Sequence, residues 1–93
     1  MRVTKIKMKP GCYFSSNLAE IDQLFIVGCK NPGYYKKAVV HDHVKAHPGS
    51  ITVDRAPFPA VIPAISITNE KYVRSSPNGY THDNLLDLPR ERG

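Results

Sequence analysis

The stretch IDQLFIVGC, residues 21–29, is the strongest strand signal in the chain. With the two-residue period of a strand, Ile21 and Phe25 share one face, and Leu24 and Ile26 share the other. Apolar residues on both faces are typical of a central strand covered on both sides, either by its own domain or by an oligomeric partner. The stretch therefore predicts a sheet with residues 21–29 at its centre.

The segment that follows predicts a helix over residues 32–46, ended by His47-Pro48-Gly49. Asn31 is a favoured N-cap, and Pro32 suits the first helical position, where no N–H is needed. At 100° per residue, the arc expected to face the core contains Tyr35, Val39, Val40, His43, Val44 and Ala46. The arc expected to face water contains Tyr34, Lys37, His41, Asp42 and Lys45.

Further strand patterns flank this unit. Residues 3–8 alternate, with Val3, Lys5 and Lys7 on a basic outer face, and residues 50–54 form a short strand. Residues 64–68 and 71–75 read as a β-hairpin around Asn69-Glu70. The order β-β-α-β-β-β predicts a single α+β domain over residues 1–93, with a small mixed or antiparallel sheet of about five strands and one helix across a face.

The remaining segments predict loops and a docked tail. Residues 12–19 are polar, and the prolines of residues 56–65 rule out a central strand there, so that segment is extended or lies at an edge. Ser76-Pro77-Asn78-Gly79 is a turn signal. The leucines of the tail, Leu85, Leu86 and Leu88, are expected to dock on the core, with residues 90–93 frayed.

Composition limits the function classes. The 93 residues carry 13 Lys and Arg against 8 Asp and Glu, a net charge of +5 that favours anionic partners. No stretch approaches the ~20 apolar residues of a membrane span, and no apolar region follows the charged start, so we expect a cytoplasmic protein with no membrane partner. Cys12 and Cys29 are expected to be free thiols, with a disulfide as the alternative in an oxidising compartment.

The C-terminal part of the chain resembles a known family. The strand KYVRS at 71–75, Asn78-Gly79, and DNLLDLP at 83–89 are similar to the closing motif of the bacterial and phage family called domain of unknown function 3892. The resemblance implies the fold of that family and a bacterial or phage source, and it implies no activity.

Catalytic and metal-binding motifs are weak. His43 and His47 lie four residues apart beside His41 and Asp42, a spacing that zinc sites on helices use. A third ligand would have to come from His82 or Asp83, and a His near a helix C-terminus is also favoured by the dipole. Neither the cysteines nor the acidic residues form a catalytic arrangement. The sequence therefore favours a non-enzymatic protein without a cofactor.

The start of the predicted helix is the best candidate ligand site. Free amides and the positive dipole end favour an anion there, and Gly33 lets a ligand approach the backbone closely. Tyr34 offers a ring on which a base can stack, and lysines offer charge. Arginines from the sheet or a second subunit could complete the site. The predicted ligand-binding residues are Gly33, Tyr34, Lys36, Lys37, Arg55 and Arg74. The alternative is a plain helix start with solvated lysines.

A phosphate-bearing small nucleotide, such as a sequestered signalling nucleotide, is favoured over long nucleic acid, because no arginine-rich run or recognition-helix signature occurs. The competing hypothesis is a protein-interaction or inhibitor module that uses the proline-rich residues 56–65. That segment is stiff and apolar, so it loses little entropy on binding. A homo-oligomer is compatible with either function.

Overall fold

The computed structural model describes residues 1–76 and 83–91. Its strands are β1 (Arg2–Met8), β2 (Ile21–Val27), β3 (Gly33–Lys36), β4 (Thr52–Val53), β5 (Val61–Ile65), β6 (Lys71–Ser75) and β7 (Arg90–Glu91). Its helices are α1 (Lys37–Ala46) and two short 3₁₀ turns, Leu18–Glu20 and Asn84–Asp87. The predicted α+β class with one α-helix is confirmed. The strands form a five-stranded mixed sheet and a separate two-stranded sheet.

The five-stranded sheet is built around β1. The order is β3-β2-β1-β4, with antiparallel pairing of β1 with β2 and of β2 with β3. The other edge of β1 pairs with two short parallel strands. Strand β4 lies opposite Arg2 and Val3, and β7 lies opposite Ile6 and Lys7. The predicted central strand begins at residue 21, and β2 does lie between two neighbours, β1 and β3.

Two irregularities in the β1–β2 register change which side chains point inward. The register shifts between Val3 and Lys5 and again between Lys7 and Met8. A bulge leaves one residue unpaired, so the alternation of side chains skips a step. Val3 is therefore buried with Ile6, although strict alternation placed it with the lysines. Ile21 likewise lies buried on the side of Leu24 rather than beside Phe25.

The core lies on one side of this sheet, which we call the inner side. Helix α1 contacts β2 and β3 of the large sheet and β5 and β6 of the small one. The predicted docking of the tail is confirmed, because Leu85 and Leu88 are buried and Leu86 packs at the margin. The buried cluster consists of Val3, Ile6, Met8, Ile21, Leu24, Ile26, Val40, Val44, Ile51, Val53, Val61, Val73, Leu85 and Leu88.

The predicted start of the helix is wrong. Residues 33–36 form β3, which pairs with β2 from Ile26 opposite Gly33 to Gln23 opposite Lys36. Aromatic residues favour strands and glycine disfavours helices, and the open edge of β2 supplies backbone partners for this segment. The helix begins at Lys37, after an extended Lys36 whose side chain makes no capping hydrogen bond.

The predicted faces of the helix need correction too. Val39 and Ala46 are exposed, whereas Lys37 and His41 are buried. The reason is that the small sheet supplies polar partners along one flank of α1. His41 Nδ1 lies 2.9 Å from the Tyr72 carbonyl oxygen of β6, so this imidazole is buried with its hydrogen bond satisfied.

The hairpin is confirmed with a shifted first strand. Strand β5 begins at Val61 and includes Pro63, which lies opposite Val73, so the second half of the proline-rich segment is extended as expected, whereas residues 55–58 form a turn. Only residues 52–53 of the predicted strand 50–54 form β4. Arg90 and Glu91 are not frayed, since they form β7. The predicted Ser76-Pro77-Asn78-Gly79 turn lies, beyond Ser76, outside the described residues, as do His82 and residues 92–93.

Within residues 1–76 and 83–91, no helix is long and apolar enough to cross a membrane.

Candidate functional site

The side of the large sheet away from the core carries a row of basic and aromatic side chains. The β-ladder places Lys5 beside Phe25 and Phe25 beside Tyr34, and it places Lys7 beside Gln23 and Gln23 beside Lys36. Cross-strand neighbours point to the same side of a sheet. Neither Phe25 nor Tyr34 belongs to the buried apolar cluster. We call the surface formed by Lys5, Lys7, Gln23, Phe25, Tyr34 and Lys36 the outer face.

Two aromatic rings form the centre of the outer face. The rings of Phe25 and Tyr34 meet edge to face, with centroids 5.0 Å apart and an interplanar angle of 83°. The Lys5 ammonium lies 4.6 Å from the Phe25 centroid and 6.0 Å from that of Tyr34. The arrangement places a cation directly over an aromatic pair that is half-buried at the surface.

The Tyr34 hydroxyl is the polar end of this pair. Burial of the hydroxyl, which has no hydrogen-bond partner among the described residues, together with the negative charge of Glu91, raises the pKa of Tyr34 to about 12. The phenol is therefore neutral near neutral pH. Glu91 belongs to β7, so the C-terminal strand contributes a carboxylate at the margin of the outer face.

A groove continues the outer face at the end of β1. Its volume is about 400 Å³, and Lys7 and Glu91 belong both to its lining and to the neighbourhood of the outer face. The loop after β1 contributes a second aromatic pair, Tyr13 and Phe14, whose centroids are 4.8 Å apart at 90°. Asp22 also lines the groove, so its floor is mixed in charge.

The structure brings together only part of the predicted ligand site. Gly33, Tyr34 and Lys36 lie on β3, with Tyr34 and Lys36 on the outer face. The helix N-terminus that was expected to hold an anion at Asn31 is absent, because these residues are strand and loop.

Lys37 has a structural environment instead. Its side chain is 10% exposed, and its ammonium donates to the Ala19 carbonyl oxygen and to the Glu70 carboxylate. Lys9 donates to the same carboxylate at 2.6 Å. Hydrogen bonds from Lys37 and Lys9 lower the pKa of Glu70 to about 2. This ion cluster of Lys9, Lys37 and Glu70 joins the end of β1, the start of α1 and the turn between β5 and β6.

The two predicted arginines lie on other elements. Arg55 is exposed in the loop after β4, next to Asp54, whose carboxylate is 3.3 Å from the Arg2 guanidinium. Arg74 is exposed on β6, between the buried Val73 and Ser75. Because Val73 packs into the inner core, Arg74 is on a different side of the molecule from the outer face.

The histidines and cysteines have local partners. The rings of His43 and His47 are 5.0 Å apart, and the described part of the chain contains no group of three or more His, Cys, Asp or Glu that could hold a metal ion. Both cysteines are free thiols. Cys12 donates to Glu20 at 3.0 Å, which raises the pKa of the Cys12 thiol and keeps it protonated.

A second cavity, of about 240 Å³, lies between the start of α1 and the end of β2. Its walls are mainly apolar and include Ile26, Val40 and Ile51, with Tyr35 and His43 as polar members. Its only charged side chain among the described lining residues is Lys30. The cavity thus lacks the concentration of positive charge that the outer face has.

Phe25 is absent from the predicted ligand-binding residues, although it lies at the centre of the outer face. Both faces of residues 21–29 are predicted to be covered, by the domain itself or by an oligomeric partner, and within the described chain only the Leu24 side is buried. The available signal was Lys5 and Lys7, because a basic outer face on β1 implies that the same face of its neighbour β2 is near water.

One comparison identifies the chain's family. A family model described as "Protein of unknown function (DUF3892)" matches residues 2–89, nearly the whole chain and far more than the C-terminal motif. Comparisons with curated proteins and with solved structures found no match. The chain belongs to the DUF3892 family.

Proposed function

We propose that this protein binds a phosphate-bearing ligand with a planar base, that is, a nucleotide unit, on its outer face and without catalysing a reaction. The observation that supports the proposal most is the Lys5 ammonium over the Phe25–Tyr34 pair. A ring that takes a base and a cation that takes its phosphate are the two elements that such recognition combines.

Binding requires Lys5 to exchange its partner. An exposed cation–π contact contributes about 0.5–1 kcal/mol, whereas a base stacked on an aromatic side chain contributes about 1–3 kcal/mol. The lysine side chain can turn its ammonium from the ring to a phosphate while its stem stays in place. The exchange is favourable because stacking and phosphate contact together exceed the contact that is lost.

The charges around the aromatic pair suit an anion. Among the described residues, neither Lys7 nor Lys36 forms an ion pair, so both ammonium groups are available on the outer face. The net charge of +5 adds long-range attraction. Such exposed contacts weaken as salt rises, since the Debye length falls from ~10 Å at 0.1 M to ~3 Å at 1 M.

The test is calorimetric titration of mono-, di- and cyclic nucleotides at low salt into the wild type, Lys5→Ala and Phe25→Ala. We expect binding by the wild type and a loss of about tenfold in affinity for each variant. Phe58→Ala is the matched control, because Phe58 is a half-exposed phenylalanine in the loop before β5. Absence of binding by the wild type, or equal losses for Phe58→Ala, would refute the proposal.

A second candidate function rests on the proline-rich residues 56–65. Phe58 is 56% exposed at a φ of 59°, in a turn closed by the Phe58 amide donating to the Arg55 carbonyl at 2.7 Å. A positive φ at a bulky residue costs conformational free energy. A ring held outward at that cost is a candidate for a functional contact. Self-association through Phe58 would supply one.

Sedimentation equilibrium distinguishes this second candidate. A dimer that becomes a monomer in Phe58→Ser, while Phe25→Ala stays dimeric, would support a homodimer through residues 56–65. A wild type that remains monomeric throughout the accessible concentration range would remove this self-association model.

A further inference from the structure

Phe14 is held in water by an ordered loop. Its side chain is 85% exposed, whereas the neighbouring Tyr13 is half-buried and meets it edge to face. An aromatic ring this exposed contributes little to the free energy of folding. The loop that carries it is nevertheless ordered.

The loop is fixed from both sides. The Arg90 guanidinium donates to the carbonyl oxygens of Tyr13 and Ser15, each at 2.7 Å. The Cys12 amide donates to the Lys9 carbonyl at 2.9 Å, and the Ser15 amide donates to the Cys12 carbonyl at 3.0 Å. Phe14 lies between these anchor points. The backbone that carries Phe14 is therefore already ordered in the free protein. Binding through Phe14 loses little conformational entropy, which favours affinity.

Phe14 and the Phe25–Tyr34 pair border one continuous surface. Lys7 lies on the outer face two residues beyond Lys5, and it also lines the groove that Phe14 borders. Glu91 pairs with Lys7 across the sheet, and its negative charge acts on the nearby Tyr34 hydroxyl. Side chains two residues apart on a strand are about 7 Å apart, so the surface extends well beyond one base.

We propose that the ligand of this surface is single-stranded nucleic acid, with one base on the Phe25–Tyr34 pair, another on Phe14, and the connecting phosphates along Lys5 and Lys7. This inference rests on the proposed function and narrows its ligand class. Separate aromatic positions suit a single strand, because its bases can leave the stack one by one, whereas those of a duplex are paired and stacked.

The two carboxylates of the groove fix the orientation of the strand. Asp22 and Glu91 repel phosphates, so the phosphates follow the lysine side and the bases face the groove. A carboxylate accepts a hydrogen bond from the exocyclic amino group of cytosine. Deoxycytidine oligomers are therefore suitable probes for the surface.

The experiment is a length series of deoxycytidine ligands, from the mononucleotide to the dinucleotide, tetranucleotide and hexanucleotide, titrated into the full chain at low salt. We expect a rise in affinity of about tenfold or more between mononucleotide and tetranucleotide, as the second stack forms. Phe14→Ala should remove this rise and leave mononucleotide binding unchanged. Phe25→Ala should weaken every ligand, and Phe58→Ala should weaken none.

The outcomes separate this inference from the proposed function. Mononucleotide binding with no length dependence, or a length dependence that Phe14→Ala retains, would overturn the single-strand inference alone. Tighter binding of a duplex of equal length would do the same. No binding of any nucleotide by wild type would overturn both proposals. Because Phe14 is exposed, an unchanged melting temperature of Phe14→Ala shows that the variant is folded.

Discussion

The two faces of β2 contrast sharply although their residues alternate along a single strand. Leu24 and Ile26 are almost fully buried on the side of the sheet that faces α1, and they belong to the apolar cluster. Phe25 and Gln23, between and beside them, keep contact with water and with lysines. Hydrophobicity alone does not separate Phe25 from Leu24, because both side chains are strongly apolar.

The contrast shows which residues specify the fold and which are left for another purpose. Burial of Leu24 contributes to stability, whereas half-exposed Phe25 contributes little relative to its size. A large apolar side chain that stays near water although it could be buried is a candidate for a functional role. Each prediction below tests whether this division between the inner and outer sides is real.

The largest effect is expected on the inner side. Leu24→Ala should lower the free energy of unfolding by about 3 kcal/mol, through lost burial and a cavity, and Phe25→Ala by roughly 1 kcal/mol. Urea denaturation followed by circular dichroism measures both. Equal losses at the two positions would show that the outer face is covered in solution, for instance by a second copy of the chain.

The sequence predicted the inner side better than the outer side. The alternation of Leu24, Phe25 and Ile26 and the docking of Leu85 and Leu88 follow from pattern, since burial selects apolar residues at fixed spacing. The same pattern could not tell that one face of β2 lacks a cover. Coverage depends on how many elements the rest of the chain supplies, and residues 1–76 and 83–91 supply one α-helix and one β5–β6 hairpin, both for a single side.

Tertiary pairing also overrode local signals at residues 33–36. Asn31-Pro32-Gly33 is a good helix start in isolation, yet pairing with the open edge of β2 satisfies the backbone of residues 33–36. Lys37 was expected in water because lysine is rarely buried. Its burial requires Glu70, which is 33 residues away in the sequence. A local sequence pattern cannot predict a partner at that separation.

The second largest effect concerns Lys37. Lys37→Ala should destabilise the fold by about 1–2 kcal/mol, because hydrogen bonds between a charged donor, Ala19 and Glu70 are lost. Lys37→Met keeps the aliphatic stem and separates lost packing from lost hydrogen bonding. A thermal melt of Lys37→Ala identical to that of the wild type would contradict the burial of this side chain.

A smaller, pH-dependent effect is expected at Glu70. Its pKa in the folded protein is about 2, below the ordinary 4.5, so its stabilising contribution is fully present above pH 4.5. That contribution is lost as the pH falls from 4.5 towards 2 and the carboxylate is protonated. Glu70→Gln should therefore melt at a lower temperature than wild type near neutral pH, and the two should converge in acid. A gap that is constant over this range would show that the ion cluster is not the cause.

The smallest structural effect is expected at Lys36, the neighbour of Lys37 in sequence and its opposite in environment. Lys36 is exposed on the outer face, so Lys36→Ala should change the free energy of unfolding by less than about 0.5 kcal/mol.

The effect of Lys36→Ala should appear in ligand binding instead. If Lys36 contacts a phosphate of a single strand, the slope of log affinity against log salt should become shallower by about 0.7. The comparison needs the tetranucleotide titrated at several salt concentrations into wild type and Lys36→Ala. An unchanged slope would place the phosphates away from β3, along Lys5 and Lys7 alone. A large loss of stability would instead mean that Lys36 is buried like Lys37 and does not lie on the outer face.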